Sequence, residues 1–355
     1  MTTNSDWSNA TSSETQNRCY LYSDESFNHR NMFRPRRHMS KSLNLERVEV
    51  TGDCLSFHFQ KTCWSLQMTD LQPSVLLNTG TQMPLLGLGT FRLQGQEDTY
   101  NAVDAALTAG YRAFDTAAVY RNEAHLGHAL RCLLPKHGLS REDVFITSKL
   151  GPKDQGSKAR DGCLRSLEQL GLGYIDLYLI HWPGTQGLPV GDKRNPENRT
   201  HSWTVLEEFY SEGKFRAIGV SNYTVDHMQE LMKSCKVSPA VLQVEFHPKL
   251  VQKDLRALCK ESGVCFQAYS SLGTGLLLSD HVVLDLAKKY GRTSAQVLLR
   301  WAIQQNISVL PKSRQPERVE ENGRLFDFEI SEEDMGRLSA LDCGEKFCWD
   351  PTQVF

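Results

Sequence analysis

The sequence lacks several features that mark specialised classes of protein. Its 355 residues contain no uninterrupted apolar stretch near the roughly 18 residues that a membrane-spanning helix needs. The 40 lysines and arginines are balanced by 42 aspartates and glutamates, so the basic excess typical of nucleic-acid binding is absent. The beginning of the chain, MTTNSDWSNATSSETQ, lacks the apolar segment of a secretory signal. We therefore expect no membrane partner, no nucleic-acid partner and a cytoplasmic location.

Cysteine is present, but it lacks the spacing of a metal site or a disulfide framework. The ten cysteines include no CxxC pair and no Cys/His cluster, so we predict no metal. Cys163, Cys235 and Cys259 fall on helix-like patterns, where cysteine usually behaves as a small apolar residue. Cys343 and Cys348 are the pair whose redox chemistry we would test. The pattern is typical of a reduced, cytosolic protein.

The composition changes near residues 71–73. Residues 1–72 are rich in Ser, Asn and Arg, and we predict a poorly ordered N-terminal extension there. Within it, residues 43–59 alternate as a hairpin would, and the basic cluster at 34–38 is either a localisation signal or a solvated loop. Met68 is a candidate alternative start. We predict that residues 75–355 form one domain.

Short apolar runs alternate with amphipathic segments from Val75 onward. The strand-like runs are 85–88, 113–115, 144–147, 175–180, 217–220, 241–245, 264–269 and 307–310, and the helix-like segments are 97–109, 123–137, 157–170, 204–212, 225–234, 253–261, 294–305 and 316–324. Eight such alternations predict an α/β fold whose parallel strands are covered on both faces. Because no GxGxxG motif follows the first run, we favour a (β/α)8 TIM barrel over a doubly wound sheet.

Two segments fall outside this repeat. Residues 76–86, LLNTGTQMPLL, are predicted to form a hairpin that closes the bottom of the barrel. Residues 182–199 are rich in Gly, Pro, Asn and charge, so we predict a long loop over the active face.

Four chemically suggestive residues follow strand-like runs: Asp115, Tyr120, Lys149 and His181. In a (β/α)8 barrel all strands end at one rim, so these side chains should converge there. Each alone has an ordinary explanation, as a helix cap, a rim aromatic, a surface charge or a core histidine. Together they suit proton delivery to a carbonyl, because a lysine cation held by a carboxylate favours tyrosinate and a histidine can bind the carbonyl oxygen.

Seven ordered motifs extend this pattern. They are GLGTFRL (87–93), GYRAFDTAAVYRNE (110–123), LGLGYIDLYLIHWPG (170–184), GVSNY (219–223), QVEFHP (243–248), AYSSLG (268–273) and VLPKSRQPERVEEN (309–322). In these motifs the chain resembles the aldo-keto reductase family over residues 75–355. The resemblance implies that Tyr120 is the general acid, that Lys149 lowers its pKa, that Asp115 holds Lys149 and that His181 orients the substrate carbonyl.

The same resemblance implies a nicotinamide cofactor. Ser221, Asn222 and Gln243 would bind the carboxamide, and Tyr269 would stack on the nicotinamide ring. A 2′-phosphate suits the cations and hydroxyl of Lys312, Ser313 and Arg318, so NADPH is favoured over NADH. The complete predicted cofactor set is Gly89, Thr90, Ser221, Asn222, Gln243, Tyr269, Ser270, Leu272, Thr274, Lys312, Ser313, Arg318, Glu321 and Asn322.

The predicted substrate wall consists of Phe91, Val119 and Trp182, beside Thr90. Gly151 stands where several relatives have a tryptophan, and losing that indole should widen or flatten one side of the pocket. The short C-terminal tail leaves little material for a large apolar clamp, so small aldehydes and dicarbonyls are favoured over steroids. We expect a monomeric NADPH-dependent reductase of aldehydes or ketones. The alternative is a nucleotide-sensing or structural use of the barrel, as in channel subunits or crystallins.

Overall fold

The computed structural model describes residues 72–355. The predictions for the N-terminal extension, its hairpin, its basic cluster and the start at Met68 lie outside the described residues. Eight strands form one sheet: β3 Gly87–Gly89, β4 Ala113–Asp115, β5 Phe145–Leu150, β6 Leu177–Ile180, β7 Ile218–Ser221, β8 Val241–Glu245, β9 Cys265–Tyr269 and β10 Ser308–Val309. Each pairs in parallel with its neighbour along the chain, in the order β3 to β10.

The sheet closes into a barrel between its first and last strands. Leu86 and Val309 form a parallel bridge, and Val309 N donates to Leu85 O at 2.8 Å. Gly89 N donates to Pro311 O at 3.0 Å on the same seam. The (β/α)8 prediction is confirmed.

An antiparallel hairpin seals the N-terminal end of the barrel. Its strands, β1 Ser74–Leu76 and β2 Gln82–Pro84, are joined by a tight turn in which Gly80 adopts a φ of 83°. Asn78 Nδ2 donates to Pro239 O at 3.0 Å, just before β8 begins. Met83 is fully buried beneath the barrel strands, so the predicted bottom-closing hairpin is confirmed.

Helices surround the barrel between the strands. They are α1 Gln96–Thr108, α2 Glu123–Lys136, α3 Ala159–Leu170, α4 Arg194–Ser211, α5 Val225–Ser234, α6 Lys253–Ser262, α7 His281–Tyr290, α8 Ser294–Ile303, α9 Pro316–Gly323 and α10 Glu332–Ser339. The sequence patterns missed α7 and α10. No helix in residues 72–355 is long and apolar enough to cross a membrane.

The prediction of a loop over residues 182–199 is wrong from Arg194 onward, where α4 begins. Tertiary contacts stabilise this first part of α4 despite its poor helix formers. Asn195 Oδ1 accepts from Thr185 N at 2.9 Å, and Asn195 Nδ2 donates to Pro189 O at 3.0 Å. The side chain of Arg199 is buried and donates to Pro183 O at 3.1 Å.

Alternating side chains along the strands fill the barrel interior. Near the hairpin they are apolar, and Phe145, Leu177, Leu179 and Val241 pack with Met83 in one buried cluster. Side chains repeat on one face of a strand every second residue. Lys149 on β5 and His181 just after β6 therefore continue these apolar rows at the opposite end of the barrel.

Candidate active site

The four predicted catalytic residues meet at the C-terminal end of the strands. Asp115 is the last residue of β4, Lys149 lies in β5, and His181 directly follows β6. Tyr120 ends a short 3-10 turn, Ala118–Tyr120, in the loop after β4. A barrel gathers residues that are distant in sequence at this rim, as the sequence predicted.

Lys149 forms a buried ion pair with Asp115. Its Nζ lies 2.6 Å from Asp115 Oδ1 and donates also to Thr116 O at 2.8 Å. Burial lowers the pKa of Lys149, while the Asp115 carboxylate opposes that shift. The ammonium therefore stands in a site of low polarity with a single close carboxylate, where its field acts strongly on neighbouring groups.

Tyr120 lies close to both this ion pair and His181. Lys149 Nζ is 5.0 Å from the centre of the Tyr120 ring, and the Tyr120 and His181 rings meet edge to face with centres 5.5 Å apart. Burial, and then the Asp115 carboxylate, raise the pKa of Tyr120 well above its ordinary value. Burial thus outweighs any lowering by the Lys149 ammonium, and the net pKa of Tyr120 is raised. The phenol remains protonated through the neutral range.

His181 is held as a neutral imidazole. Burial, followed by the nearby Lys149 cation, lowers the pKa of His181 well below its ordinary value. Its main chain is held at both ends, since His181 N donates to Leu150 O at 3.1 Å and His181 O accepts from Asn222 Nδ2 at 2.9 Å. Nδ1 is buried and has no hydrogen-bond partner among the described residues.

Asn122 organises the loops around Tyr120, a role that the sequence reasoning missed. Its Oδ1 accepts from Thr116 Oγ1 at 2.6 Å, and its Nδ2 donates to Thr90 O at 2.9 Å and Leu93 O at 3.1 Å. It thereby joins the loop after β3 to the loop after β4. Its position just before α2, in the string YRNE, was the available signal.

The candidates on β7 to β9 form a second connected group. Ser221 is the last residue of β7, and Asn222 follows it with a φ of 64°. Tyr269 Oη donates to Asn222 Oδ1 at 2.6 Å. Gln243 reaches across the barrel, where its Nε2 donates to Asp115 Oδ2 at 2.9 Å. The structure thus links Gln243 directly to the Asp115–Lys149 pair.

Cations concentrate in the segment between β10 and α9. Burial, and then Arg314 and Arg92, lower the pKa of Lys312. Ser313 Oγ accepts from Gln315 N at 3.0 Å at the start of α9, and Arg318 is exposed on that helix. Arg314, which the sequence reasoning did not select, donates from Nη2 to Arg92 O at 2.8 Å. The predicted phosphate-binding residues therefore have two further arginines beside them.

Two of the remaining cofactor candidates contact Asp115, since Gly89 pairs with it in the register of β3 and β4 and Thr90 lies beside it. Thr90 Oγ1 donates to Asp115 O at 2.9 Å. Gly89 ends β3, Glu321 Oε1 accepts from Thr293 Oγ1 at 2.8 Å, and Asn322 is buried in α9. Ser270, Leu272 and Thr274 occupy the loop after β9, where Ser270 and Thr274 have φ values of 50° and 55°.

An aromatic rim surrounds Tyr120. The rings of Phe91 and Tyr120 have centres 5.1 Å apart. Trp349, from the C-terminal tail, meets the edge of Phe91 at 6.3 Å and is 58% exposed. The sequence reasoning missed Trp349 because the tail has no periodic pattern. Trp182 follows His181 and is half-buried.

Val119 occupies the space beside Gly151. A Cβ atom at Gly151 would lie 3.0 Å from Val119 Cγ1, so a larger side chain there would displace the valine. The expected widening of the pocket is therefore limited, because Val119 forms this part of the wall. Val119 is 40% exposed and remains open to a ligand.

The tail is anchored on both sides of Trp349. The Glu245 carboxylate accepts from Phe347 N at 2.8 Å and from Cys348 N at 3.2 Å. Arg199 Nη1 donates to Phe355 O at 2.7 Å. These anchors hold Trp349 over the barrel mouth.

Cysteines and acidic residues form no metal centre in the described part of the chain. No group of three or more His, Cys, Asp or Glu side chains there could hold a metal ion. Cys343 and Cys348 are free thiols, and Cys348 Sγ lies 3.2 Å from Ser270 Oγ. Burial raises the pKa of Cys348, which disfavours its thiolate.

Comparison with known proteins gives a consistent picture. The model of the aldo/keto reductase family matches residues 85–342. A glyoxal reductase of Bacillus subtilis (strain 168) is 42% identical over 287 residues, covering 81% of this chain and 99% of the relative. A 9,11-endoperoxide prostaglandin H2 reductase of Trypanosoma cruzi (strain CL Brener) is 42% identical, covering 79% and 95%.

Solved structures agree with these sequence relationships. An aldo-keto reductase from a Medee basin deep-sea metagenome library has a TM-score of 0.72 and 40% identity, covering 80% of this chain and all of that chain. The aldose reductase of Schistosoma japonicum has a TM-score of 0.71 and 36% identity, covering 78% of this chain and 94% of its own.

Proposed function

The chain belongs to the aldo/keto reductase family, and we propose that it is an NADPH-dependent oxidoreductase that reduces aldehyde or ketone carbonyls to alcohols. The observation that carries the proposal is the buried Asp115–Lys149 pair next to Tyr120, with the neutral imidazole of His181 edge to face with the phenol ring. This group combines a proton donor, a charge that stabilises its conjugate base and a neutral hydrogen-bond donor for the substrate oxygen.

The residues at the mouth fit a nicotinamide dinucleotide phosphate. Among residues 72–355, no carboxylate lies within ion-pair distance of Lys312, Arg318 or Arg92. Burial and the neighbouring arginines disfavour the Lys312 cation. A phosphate would relieve this repulsion and match a lysine and a guanidinium. Ser221, Asn222, Gln243 and Tyr269 would hold the nicotinamide end. When bound, the reduced nicotinamide supplies the hydride.

Tyr120 supplies the proton. Because burial raises its pKa, the phenol keeps its proton until negative charge develops on a carbonyl oxygen beside it. The tyrosinate that forms is then stabilised by the Lys149 ammonium, which Asp115 and Thr116 O hold in place. In the oxidation direction the same tyrosinate accepts the proton.

His181 orients the substrate oxygen. Its lowered pKa leaves one N–H on the ring, and we assign that proton to Nε2. Nδ1 is buried without a hydrogen-bond partner among residues 72–355. Leaving an acceptor nitrogen unpaired there costs less free energy than leaving an N–H group unpaired. The Nε2–H group can then donate to the carbonyl oxygen together with the Tyr120 hydroxyl.

Small aldehydes and dicarbonyls are the proposed substrate class. Phe91, Val119 and Trp349 border the phenol with partly exposed apolar surface, and Trp349 is the single large side chain of the tail that contacts this rim among the described residues. Such a rim covers a short carbon chain better than an extended ring system. The similarity to a glyoxal reductase supports the same class.

Turnover with methylglyoxal and 4-nitrobenzaldehyde, followed at the nicotinamide absorbance, tests the proposal. We expect reduction with both cofactors and a lower KM for NADPH than for NADH. Arg318→Ala should weaken NADPH binding about tenfold or more and leave NADH binding nearly unchanged, because a charge-assisted contact to the 2′-phosphate is lost.

Two results would contradict the proposal. Binding of NADPH without turnover of any carbonyl in a broad panel would favour the nucleotide-sensing or structural alternative. An equal loss of NADPH and NADH affinity in Arg318→Ala would remove the 2′-phosphate assignment. Arg337→Ala, on the exposed face of α10, is the matched control and should change neither affinity.

A further inference from the structure

Gln267 is a buried amide in the interior of the barrel, on β9. It belongs to a column of hydrogen bonds that runs from the hairpin to the barrel mouth. Ser308 Oγ donates to Pro84 O at 3.0 Å, and Gln267 Nε2 donates to Ser308 Oγ at 3.2 Å. Gln267 Oε1 then accepts from Gln243 Nε2 at 2.8 Å.

The direction of every bond in this column is determined by its ends. Pro84 O can only accept, so Ser308 must donate to it and is left to accept from Gln267 Nε2. This orients the Gln267 amide so that its Oε1 faces Gln243. At the other end, Asp115 Oδ2 accepts the second Nε2 proton of Gln243 at 2.9 Å.

Both protons of the Gln243 amide are therefore assigned to internal acceptors. Its carbonyl oxygen, Oε1, receives no hydrogen bond from residues 72–355 and is left for a ligand at the mouth. We infer that Gln267 is a positioning residue, which acts through Gln243 to present an acceptor to the amide protons of a nicotinamide carboxamide. This inference rests on the proposed function, since it requires a nicotinamide at that place.

A purely packing role for Gln267 predicts different behaviour. Loss of packing would lower stability and affect all properties of the site together. Loss of the acceptor would leave one proton of Gln243 unpaired, let its amide turn and weaken binding of the nicotinamide end alone. The two cofactors share that end, so the positioning role predicts equal losses for NADPH and NADH.

Three variants of the full chain separate these roles. Gln267→Leu removes the acceptor, and Gln267→Glu keeps a carboxyl oxygen in the same place, which burial should keep protonated and able to donate to Ser308. Gln304→Leu is the matched control, because Gln304 makes two hydrogen bonds to Ile330 far from the mouth. The readouts are Kd for NADPH and NADH from quenching of tryptophan fluorescence at about pH 6, the melting temperature and kcat.

Gln267→Leu should raise Kd for both cofactors by the same factor, about tenfold, which corresponds to about 1.4 kcal/mol. Gln267→Glu should restore both values to within about twofold of wild type. Gln304→Leu should lower the melting temperature and leave Kd unchanged.

Equal Kd values in Gln267→Leu and wild type would overturn the inference. It would also be overturned if Gln267→Glu had the melting temperature of wild type but did not restore the cofactor affinity lost in Gln267→Leu. If the wild-type chain binds neither NADPH nor NADH, that result contradicts the proposed function itself, and with it the inference. The wild-type chain could instead bind the cofactors and reduce carbonyls while Gln267→Leu keeps the same Kd values. That result would contradict the positioning role and leave the proposed function intact.

Discussion

The two ends of the barrel interior differ sharply in their chemistry, although the same strands supply both. At the hairpin end Phe145, Leu177 and Val241 pack around Met83 without a charged group in their buried cluster. At the mouth the same strands β5 and β6 lead to Lys149 and His181, four residues further on in each case. Four residues of strand span about 13 Å, so one short strand passes from apolar core to reactive site.

Along the barrel axis, the residues that stabilise the fold are therefore separated from the residues proposed to catalyse the reaction. The hairpin end excludes water and holds the strands in register, which contributes to folding. The mouth concentrates groups that are costly to bury, including the Asp115–Lys149 pair and an imidazole with an unpaired nitrogen. We therefore expect substitutions at the mouth to lower activity more than stability, and substitutions at the hairpin end to lower stability more than activity.

The largest expected effect is at the mouth. Tyr120→Phe should lower kcat for carbonyl reduction by about 100-fold to 10,000-fold, because it removes the general acid. Its hydroxyl has no hydrogen-bond partner among residues 72–355, so the melting temperature and Kd for NADPH should stay close to wild type. Steady-state kinetics and thermal melts check both parts.

Tyr178→Phe is the matched control for this substitution. Tyr178 is fully buried, and its hydroxyl pairs with Ser166 Oγ at 3.0 Å on the outer side of β6. That variant should lose some stability and keep its kcat. Wild-type turnover in Tyr120→Phe would show that another group delivers the proton.

The second effect is at the hairpin end. Leu177→Ala should lower the free energy of unfolding by about 2–5 kcal/mol through lost burial and an unfilled cavity. Leu177 is fully buried in the cluster near the hairpin, so kcat per folded molecule should change little. Urea denaturation and active-site titration measure the two quantities. A large fall in kcat for the folded fraction would break the proposed separation of the two ends.

The smallest effect is a pH dependence of stability that comes from the mouth. His181 has a folded-state pKa well below its ordinary value of 6.5, so below that value the unfolded chain binds more protons than the folded chain. Stability should therefore fall as the pH falls from about 7.5 to about 5.5. His227, whose pKa burial also lowers, contributes in the same direction.

Melting temperatures across this pH range test the contribution of His181. The loss between the two pH values should be smaller in His181→Gln than in wild type. His281 is exposed at the start of α7, so His281→Gln should keep the full loss. An unchanged pH dependence in His181→Gln would mean that the imidazole is not buried in its neutral form.

Much of the fold could be predicted from the sequence, because strand-like runs and helix-like segments recur with clear stop signals. Two missed helices also carried usable signals. Asp280 caps α7 by accepting from Val282 N, and Gly291 ends the helix with a φ of 61°. Ser331 caps α10 by accepting from Asp334 N. The early start of α4 had no such local signal, since it is stabilised by contacts of Asn195 with the preceding loop and of Arg199 with Pro183 and the distant Phe355.

The candidate site divides in the same way. Residues at strand ends could be predicted, because the barrel brings all strand ends to one rim whatever their sequence separation. Gln267, Arg314 and Trp349 could not, since their roles depend on which group each one meets across the barrel, in a neighbouring loop or from the tail. No periodic pattern encodes such a contact.

The sequence by itself determined the barrel, the aldo/keto reductase family and the set of Asp115, Tyr120, Lys149 and His181 at one rim. Only the tertiary structure decided how these groups are charged. Burial raises the pKa of Tyr120 and lowers that of His181, and burial depends on the whole surrounding fold. The tertiary structure likewise brought Gln243 into hydrogen-bond contact with Asp115, 128 positions away in the sequence. A hydrogen bond depends on the distance between two atoms in space and not on their separation along the chain.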